Sequence, residues 1–155
     1  MKILVMSDSH GSKNNMLNAI EHESPDWILH LGDNERDCSD IALMYPDIPL
    51  RNVRGNCDRF SPGLDIDEFE LEGKRFLMTH GHLFGVKSGK AKIISAATDR
   101  GVDILLFGHT HVPFHSVVGD LTIINPGSIH SDGKYYATLE IKNGIVSCEL
   151  KSLQM

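Results

Sequence analysis

The sequence lacks any apolar run that approaches the roughly 18–20 residues a membrane-spanning helix requires. It also lacks the pattern of a secretory leader, because its opening apolar stretch turns polar after residue 6. Cysteine is scarce, and three residues without a Cys-x-x-Cys pair do not make a disulfide framework. From these absences we expect a cytoplasmic protein with no membrane partner.

Basic charge is not in excess either. The chain has 15 Lys and Arg against 21 Asp and Glu, a formal net charge of −6 at pH 7. Domains that bind nucleic acid usually carry a basic face, so we expect no nucleic-acid partner. A small phosphate substrate stays open, provided that bound metal supplies local positive charge. Histidine, in contrast, is plentiful, with nine residues in 155.

The length fits one domain, residues 1–155, with a core that needs no disulfide. In the first half, short aliphatic runs alternate with apolar residues at helical spacing. The predicted strands cover residues 2–6, 27–31 and 50–53. The predicted helices follow Ser12, which is expected to cap the first of them, and cover residues 35–45, with Ile41, Leu43 and Met44 as the apolar side.

Hairpins dominate the second half. Turn sequences interrupt paired apolar runs at Glu72-Gly73-Lys74, Gly119-Asp120 and Asn143-Gly144. A helix is predicted between Lys87 and Arg100, with Gly101 at the place where it would end. The run ILLF at residues 104–107 then reads as a buried strand. A mixed α/β protein with two sheets follows from this pattern.

Side chains of metal-ligand type follow five of the predicted strands. They are Asp8, His10, Asp33, Asn56, His80, His109 and His111. Each alone has a structural explanation, such as a helix cap, a turn or a satisfied loop histidine, but none of these explains the shared position. In open α/β folds ligands bind beyond the carboxyl ends of the strands. Histidine, carboxylate and amide ligands suit divalent ions such as manganese, zinc or iron.

The order of these motifs resembles that of the calcineurin-like metallophosphoesterases. The motifs are DSHG, GD, GNCD, THGH and GHTH, at residues 8–11, 32–33, 55–58, 79–82 and 108–111. The segment NPGSI at 125–129 is similar to one in the small YfcE-type phosphodiesterase branch. The resemblance spans essentially the whole chain. It implies a four-layer αββα sandwich, two mixed sheets flanked by helices, with a dinuclear metal site at the carboxyl edge of the strands.

The resemblance also implies a division of ligands. One ion would be held by Asp8, His10 and His111, the other by Asn56, His80 and His109, and Asp33 would bridge the two. We expect manganese, with zinc, nickel or iron as alternatives. The expected reaction is hydrolysis of small phosphodiesters by in-line attack of a metal-bridging hydroxide. Asn56 would also contact the substrate and help to stabilise charge on the phosphate oxygens.

Cys57 departs from the family pattern, because many members have a histidine after the Gly-Asn pair. An ordinary thiol is a poor proton donor, so we predict a small buried residue without a catalytic role. His82 is a candidate catalytic acid or phosphate contact, and Arg36 and Arg59 are candidate substrate contacts. Gly108 is expected to let the backbone turn as the strand opens onto the metals.

Two other functions stay open at this stage. A phosphomonoesterase or nucleotide phosphatase would use the same centre, and the sequence hardly separates it from a phosphodiesterase. A non-catalytic scaffold subunit is the third reading, since one relative in the family serves a trafficking complex with a degraded metal site. All seven ligand positions here hold competent residue types, which favours an enzyme. A homo-oligomer is also left open.

Overall fold

Residues 1–153 are described by a computed structural model and form ten strands and three α-helices. The strands are β1 (Lys2–Met6), β2 (Trp27–His30), β3 (Leu50–Asn52), β4 (Ile66–Leu71), β5 (Lys74–Thr79), β6 (Ile104–Leu106), β7 (Phe114–Val118), β8 (Leu121–Asn125), β9 (Tyr135–Lys142) and β10 (Ile145–Ser152). The helices are α1 (Lys13–Glu23), α2 (Glu35–Met44) and α3 (Ala91–Arg100), and His82–Phe84 form a 3-10 turn.

The first sheet has the strand order β10-β9-β1-β2-β3. β1, β2 and β3 run parallel, because α1 and α2 return the chain to the start of the next strand. β9 pairs antiparallel with both β1 and β10, and the turn at Asn143 and Gly144 connects β9 to β10. The two helices cover the outer face of this sheet, where Met16, Ile20 and Ile41 pack against its buried side chains.

The second sheet has the order β4-β5-β6-β8-β7. β5, β6 and β8 run parallel, and the hairpins β4–β5 and β7–β8 close the two sides. α3 covers the outer face with Ile93 and Ala97, which pack against Leu77, Leu105 and Ile123. The parallel strands of both sheets therefore end at the same edge, and the loops that carry the predicted ligands leave from this edge.

The inner faces of the two sheets form one apolar core. Val5 and Leu29 of the first sheet belong to the same buried cluster as Met78, Leu106 and Ile124 of the second. Burial of such side chains contributes about 1.5–3 kcal/mol each relative to exposure. Helices, sheet, sheet and helix thus stack in four layers, and the predicted αββα sandwich of two mixed sheets is confirmed.

The prediction for the apolar side of α2 was wrong beyond Ile41. Leu43 and Met44 are 81% and 54% exposed, whereas Asp37 and Cys38 are buried. The cause is tertiary: Asp37 accepts a hydrogen bond from the backbone N–H of Gly11 at 3.0 Å, so the first turns of the helix face the loop after β1.

Two helix starts also differ from the sequence prediction. Ser12 occupies the N-cap position of α1, but its side chain makes no capping bond and instead contacts Nδ1 of His130 at 2.6 Å. α3 begins at Ala91 rather than near Lys87, because Gly89 has a φ of 151°, which no helical residue adopts. Among residues 1–153 no helix is both long and apolar enough to cross a membrane.

Candidate metal centre

The loops after β1, β2, β5 and β6 bring six of the seven predicted ligands to one place. Ligand atoms of Asp8, His10 and His111 lie within 4.8 Å of one another. A second group with the same spread contains Asp33, His80 and His109. The first group contains the three residues that the family resemblance assigns to one ion, and the second contains Asp33 with two of the residues assigned to the other.

Asp8 is fully buried and is oriented by hydrogen bonds to one of its oxygens. Oδ2 accepts from the hydroxyl of Ser7 and from the backbone N–H of His109, the latter at 3.2 Å. Oδ1 is left to face histidines: Nε2 of His111 lies at 3.1 Å and Nε2 of His10 at 3.8 Å. The carboxylate therefore presents one fixed oxygen to the first group.

Asp33 stands between the two groups. Its Oδ1 accepts the backbone N–H of Cys57 at 2.9 Å, while Oδ2 lies 3.3 Å from Nε2 of His80 and 3.9 Å from Nε2 of His10. Burial raises the pKa of Asp33, but the bonds to His80 and to the Cys57 N–H outweigh it and hold that pKa well below its usual range. Asp33 is thus a carboxylate at every ordinary pH.

A hydrogen bond from its Nδ1 orients His80 as a ligand. Its ring is fully buried, and its Nδ1–H donates to the carbonyl of Leu31 at 2.7 Å, which leaves Nε2 directed at the centre. Nε2 lies 3.1 Å from Nδ1 of His109. Burial and the nearby His80 lower the pKa of His109 to about 4, so His109 is neutral and has a lone pair for a cation at neutral pH.

Five of the candidate ligands have left-handed backbone conformations. They are Asp8 (φ 53°), His10 (φ 43°), Asp33 (φ 53°), His109 (φ 69°) and His111 (φ 63°). A residue other than glycine is uncommon there, and such strain typically costs of order 1–3 kcal/mol and gathers at functional sites. Because His109 and His111 are not extended, their rings diverge into different groups instead of facing one spot.

Two glycines leave room for the carboxylates. A Cβ on Gly108 would lie 2.9 Å from Oδ2 of Asp8 and would overlap the hydroxyl of Ser7. A Cβ on Gly55 would overlap Oδ1 of Asp33. The expectation that Gly108 serves to turn the chain was wrong: its φ is not positive, and the turn is made by the histidines after it. Gly108 is needed for close packing.

The donor set fits divalent cations. Within residues 1–153 the buried carboxylates at the centre, those of Asp8 and Asp33, have only histidines as ion-pair partners. Nε2 of His10, although buried, has no hydrogen-bond partner. Two carboxylates without lysine or arginine are costly to bury unless cations compensate them. The buried, unpartnered nitrogen and the two carboxylates together are what a metal centre requires.

Cys57 is exposed, so the prediction of a buried thiol was wrong. Its backbone N–H is held by Asp33, and its Sγ lies within 4.8 Å of ligand atoms of His10 and Asp33. Partial burial and the carboxylate of Asp33 raise the pKa of the thiol, which weakens it further as a nucleophile. Asn56 is exposed beside it, with Nδ2 3.7 Å from Sγ.

His82 lies at the edge of the centre, with its ring centroid 5.4 Å from that of His80. Burial and the charge of His80 lower the pKa of His82, so the ring is neutral at pH 7. Its Nδ1 is buried without a hydrogen-bond partner. The side chain lines a cavity of about 240 Å³ together with Asn56 and Arg59.

The arginines near the motifs differ in their surroundings. Arg59 is exposed and borders the cavity that His82 lines. Arg54 borders it too, but its guanidinium donates to Asp65 at 2.6 and 3.1 Å, which neutralises its charge. Arg36 is exposed on α2 and is not among the residues that line this cavity.

Sequence reasoning missed His130. Its ring centroid lies 5.7 Å from that of His10, and the preceding Ser128 donates its hydroxyl to the carbonyl of Asp8 at 2.9 Å. The available signal was the NPGSI segment, which ends one residue before His130. The loop after β8 therefore also borders the centre.

His30 is a neutral, buried side chain that holds two of the ligand-bearing loops. Burial lowers its pKa to about 4, its Nδ1 accepts the backbone N–H of Gly32 at 3.1 Å, and its Nε2 lies 3.0 Å from the hydroxyl of Ser9. Gly32 and Ser9 precede Asp33 and His10, respectively. A buried histidine at the end of β2 thus fixes two ligand loops at once.

The four-layer fold and the cluster of carboxylates and histidines are typical of metallophosphoesterases, and sequence comparison agrees with this class. Residues 1–144 match the family model described as the calcineurin-like phosphoesterase superfamily domain, and the chain belongs to that family. A probable metallophosphoesterase of Bacillus subtilis, YsnB, is 34% identical over 149 residues, which cover 92% of this chain and 86% of YsnB.

Two further similarities concern a curated relative and a solved structure. The phosphodiesterase YfcE of Escherichia coli is 29% identical over 153 residues, with 83% of this chain and 79% of YfcE covered. The crystal structure of a predicted phosphoesterase from Streptococcus pneumoniae superposes with a TM-score of 0.83 at 30% identity, covering 97% of this chain and 88% of the other. The chain is therefore similar to enzymes of the small YfcE type.

Proposed function

We propose that the protein is a metal-dependent phosphodiesterase that hydrolyses small phosphodiesters. The observation that carries the proposal is the position of Asp33, whose Oδ2 lies within 4 Å of Nε2 of both His10 and His80 and so faces both ligand groups. In this account Asp8, His10 and His111 hold one ion. His80, His109 and Asn56 hold the other, and Asp33 is shared.

Manganese is the proposed metal, with zinc, nickel or iron as alternatives. Histidine and carboxylate donors without thiolate suit all of these ions. When bound, two such ions lower the pKa of a bound water and polarise the phosphate. Asp8 and Asp33 contribute two negative charges against four on the ions, so the centre remains attractive to an anionic substrate.

The chain itself orients and holds the substrate. His82, which is neutral and lines the cavity, would donate a hydrogen bond to a phosphate or leaving-group oxygen. Arg59 borders the same cavity and supplies positive charge to the substrate, whereas Arg36, exposed on α2, would reach only a large one. A neutral imidazole with a lowered pKa is a weak acid catalyst, so esters with good leaving groups are preferred.

A diester is favoured over a monoester by the cavities that border the centre. One cavity is lined by Asn56 and His82, and a second, of about 460 Å³, is lined by Thr110 between the two histidines of the last motif. A phosphodiester has two organic groups, and two cavities offer one space for each. A phosphomonoesterase on the same centre is the alternative that an assay must separate.

The proposed compartment is the cytoplasm. The three cysteines are all unpaired in the structure, as is usual in a reducing environment. The substrate would then be a small intracellular phosphate ester.

The test is a screen of metals against substrates. Protein is stripped with a chelator, and Mn²⁺, Ni²⁺ or Zn²⁺ is added back before assay with bis(4-nitrophenyl) phosphate and 4-nitrophenyl phosphate. We expect no turnover after stripping, restored turnover with at least Mn²⁺, and faster cleavage of the diester. Cleavage of the monoester alone would move the assignment to a phosphomonoesterase. Bound metal without any turnover would favour a scaffold.

A further inference from the structure

The second cavity beside the centre has a distinctive lining. Its volume is about 460 Å³, and the residues around it are Val86, Lys87, Lys90, Thr110, Val112 and Phe114. Two of the six are lysines and none is acidic. In a chain with a net charge of −6, this is a local concentration of positive charge.

The charges of these lysines are not neutralised. Within residues 1–153, four other lysines form ion pairs with carboxylates, whereas Lys87 and Lys90 form none. Lys90 is half-buried, and its Nζ lies 4.4 Å from the centroid of the Phe114 ring. This cation–π contact holds the ammonium at the cavity without cancelling its charge.

The cavity adjoins the candidate metal centre through Thr110, which separates His109 from His111. The hydroxyl oxygen of Thr110 accepts from the amide of Asn125 at 2.9 Å and from the N–H of Val112 at 3.2 Å. Its own hydrogen therefore remains available as a donor.

The cavity on the His82 side differs in charge. Its two arginines, Arg54 and Arg59, are accompanied by two acids, Asp58 and Asp65. Asp65 neutralises Arg54 directly, and Asp58 accepts backbone N–H groups of the neighbouring loop. Of these two cavities beside the centre, the lysine-lined one therefore has the uncompensated positive lining.

We propose that this cavity is a substrate subsite for a second anionic group, such as a carboxylate or a further phosphate, on the organic part of the phosphate ester. Lys87, Lys90 and the hydroxyl of Thr110 would bind that group while the scissile phosphate lies at the metal centre. The inference rests on the proposed function for the position of the scissile phosphate, and it narrows the substrate class to esters with two anionic groups.

The test is calorimetric binding to the manganese-loaded protein. The probes are 3- and 4-carboxyphenylphosphonate, in which the carboxylate lies at different distances from the phosphonate. The matching carbamoyl compounds have the same shape but lack the charge of the carboxylate. We expect one carboxylate to bind at least about tenfold more tightly than its carbamoyl partner, because charge-assisted hydrogen bonds to ammonium groups are the stronger kind.

Matched variants locate the effect. Lys87→Met and Lys90→Met together keep the aliphatic stems but remove both charges, and the carboxylate preference should disappear. Lys87→Arg and Lys90→Arg together should retain it. The control is Lys74→Met with Lys142→Met, which removes two charges beside hairpin turns at the end of the strands opposite the centre. This variant should also leave the preference intact.

The outcomes separate the subsite from the proposed function. Equal binding of carboxyl and carbamoyl probes, or a preference that survives Lys87→Met with Lys90→Met, overturns the subsite. If wild-type protein then still hydrolyses bis(4-nitrophenyl) phosphate, the proposed function stands without it. If the lysine-dependent preference is found but no ester is hydrolysed, the anion subsite stands and the proposed function fails.

Discussion

Oδ2 of Asp33 lies 3.3 Å from Nε2 of His80, and both side chains are buried at the point where β2 and β5 end. The two residues come from different sheets, so the contact joins the two halves of the sandwich. The same oxygen is 3.9 Å from Nε2 of His10. A single carboxylate thus connects the two groups of candidate ligands.

Asp33→Asn should therefore weaken both metal positions. The amide has the shape of the carboxylate and can still accept the Cys57 N–H, but it lacks the charge that two cations would share. We expect a loss of metal affinity greater than the roughly 10–100-fold that is typical of residues supporting a ligand indirectly. Metal content after dialysis measures it, with Asp99→Asn, an exposed aspartate on α3, as the control. Loss of only one ion would show that Asp33 does not bridge.

Gly108→Ala should damage the site through Asp8. The new methyl group would meet Oδ2 of Asp8 and the hydroxyl of Ser7, and overpacking of this kind costs about 1–3 kcal/mol. Gly119→Ala is the comparison: its Cβ would meet nothing within 4 Å, and its φ of 60° gives a strain of about 1–2 kcal/mol. Urea unfolding should show losses in both variants, but manganese titration should show weaker binding only for Gly108→Ala. Unchanged manganese affinity in that variant would contradict the packing argument.

Glu23 should make the stability depend on pH. Burial raises its pKa, but bonds from Lys2, Tyr136 and Lys151 outweigh it and bring the pKa to about 2, below the ordinary 4.5. The folded pKa is the lower one, so the stabilisation is complete above about pH 5 and is lost as the pH falls toward 2. The shift corresponds to about 3 kcal/mol.

Urea unfolding of metal-free protein measures this effect, since metal release then plays no part. Glu23→Gln should lower the free energy of unfolding by about 2–3 kcal/mol at pH 7 and by less than about 1 kcal/mol near pH 2. Glu21→Gln, an exposed position on the same helix, should cost little at either pH. A deficit for Glu23→Gln that stays constant with pH would refute the assignment.

Cys57 is the one exposed cysteine among the three, and it should be dispensable. We expect Cys57→Ala to retain most phosphodiesterase activity, because the thiol has a raised pKa and the variant keeps the backbone N–H that donates to Asp33. N-ethylmaleimide should label folded wild-type protein at this position and reduce activity, since the added group would lie beside His10 and Asp33. If Cys57→Ala were as damaging as Asp33→Asn, the thiol would have a role in the reaction.

The strands, hairpins and helices were largely predictable, because their signals are local. Alternating apolar runs located the strands, and the turn at Asn143 and Gly144 required only neighbouring residues. The exposure of Leu43 and Met44 could not be predicted in the same way, since it depends on which side of α2 the rest of the chain covers. Local periodicity describes a face of a helix but not what covers it.

For the candidate site too, some features could be predicted from the sequence and others could not. Its ligand types were recognisable because ordered motifs place them after successive strands. The left-handed backbone of His109 and His111, and the support that His30 and His130 give, depend on contacts between residues far apart in the sequence. The position of Cys57 belongs with these, since its backbone N–H is held by Asp33, 24 residues earlier in the chain.

The central claim is that phosphodiester hydrolysis depends on two metal ions at this cluster. Titration of metal-free protein with Mn²⁺, followed by calorimetry while bis(4-nitrophenyl) phosphate turnover is assayed in parallel, tests it most directly. The account predicts two ions per chain, turnover that rises with their binding, and loss of both in Asp33→Asn. Turnover that persists without metal, or two tightly bound ions with no turnover of any ester, would contradict it.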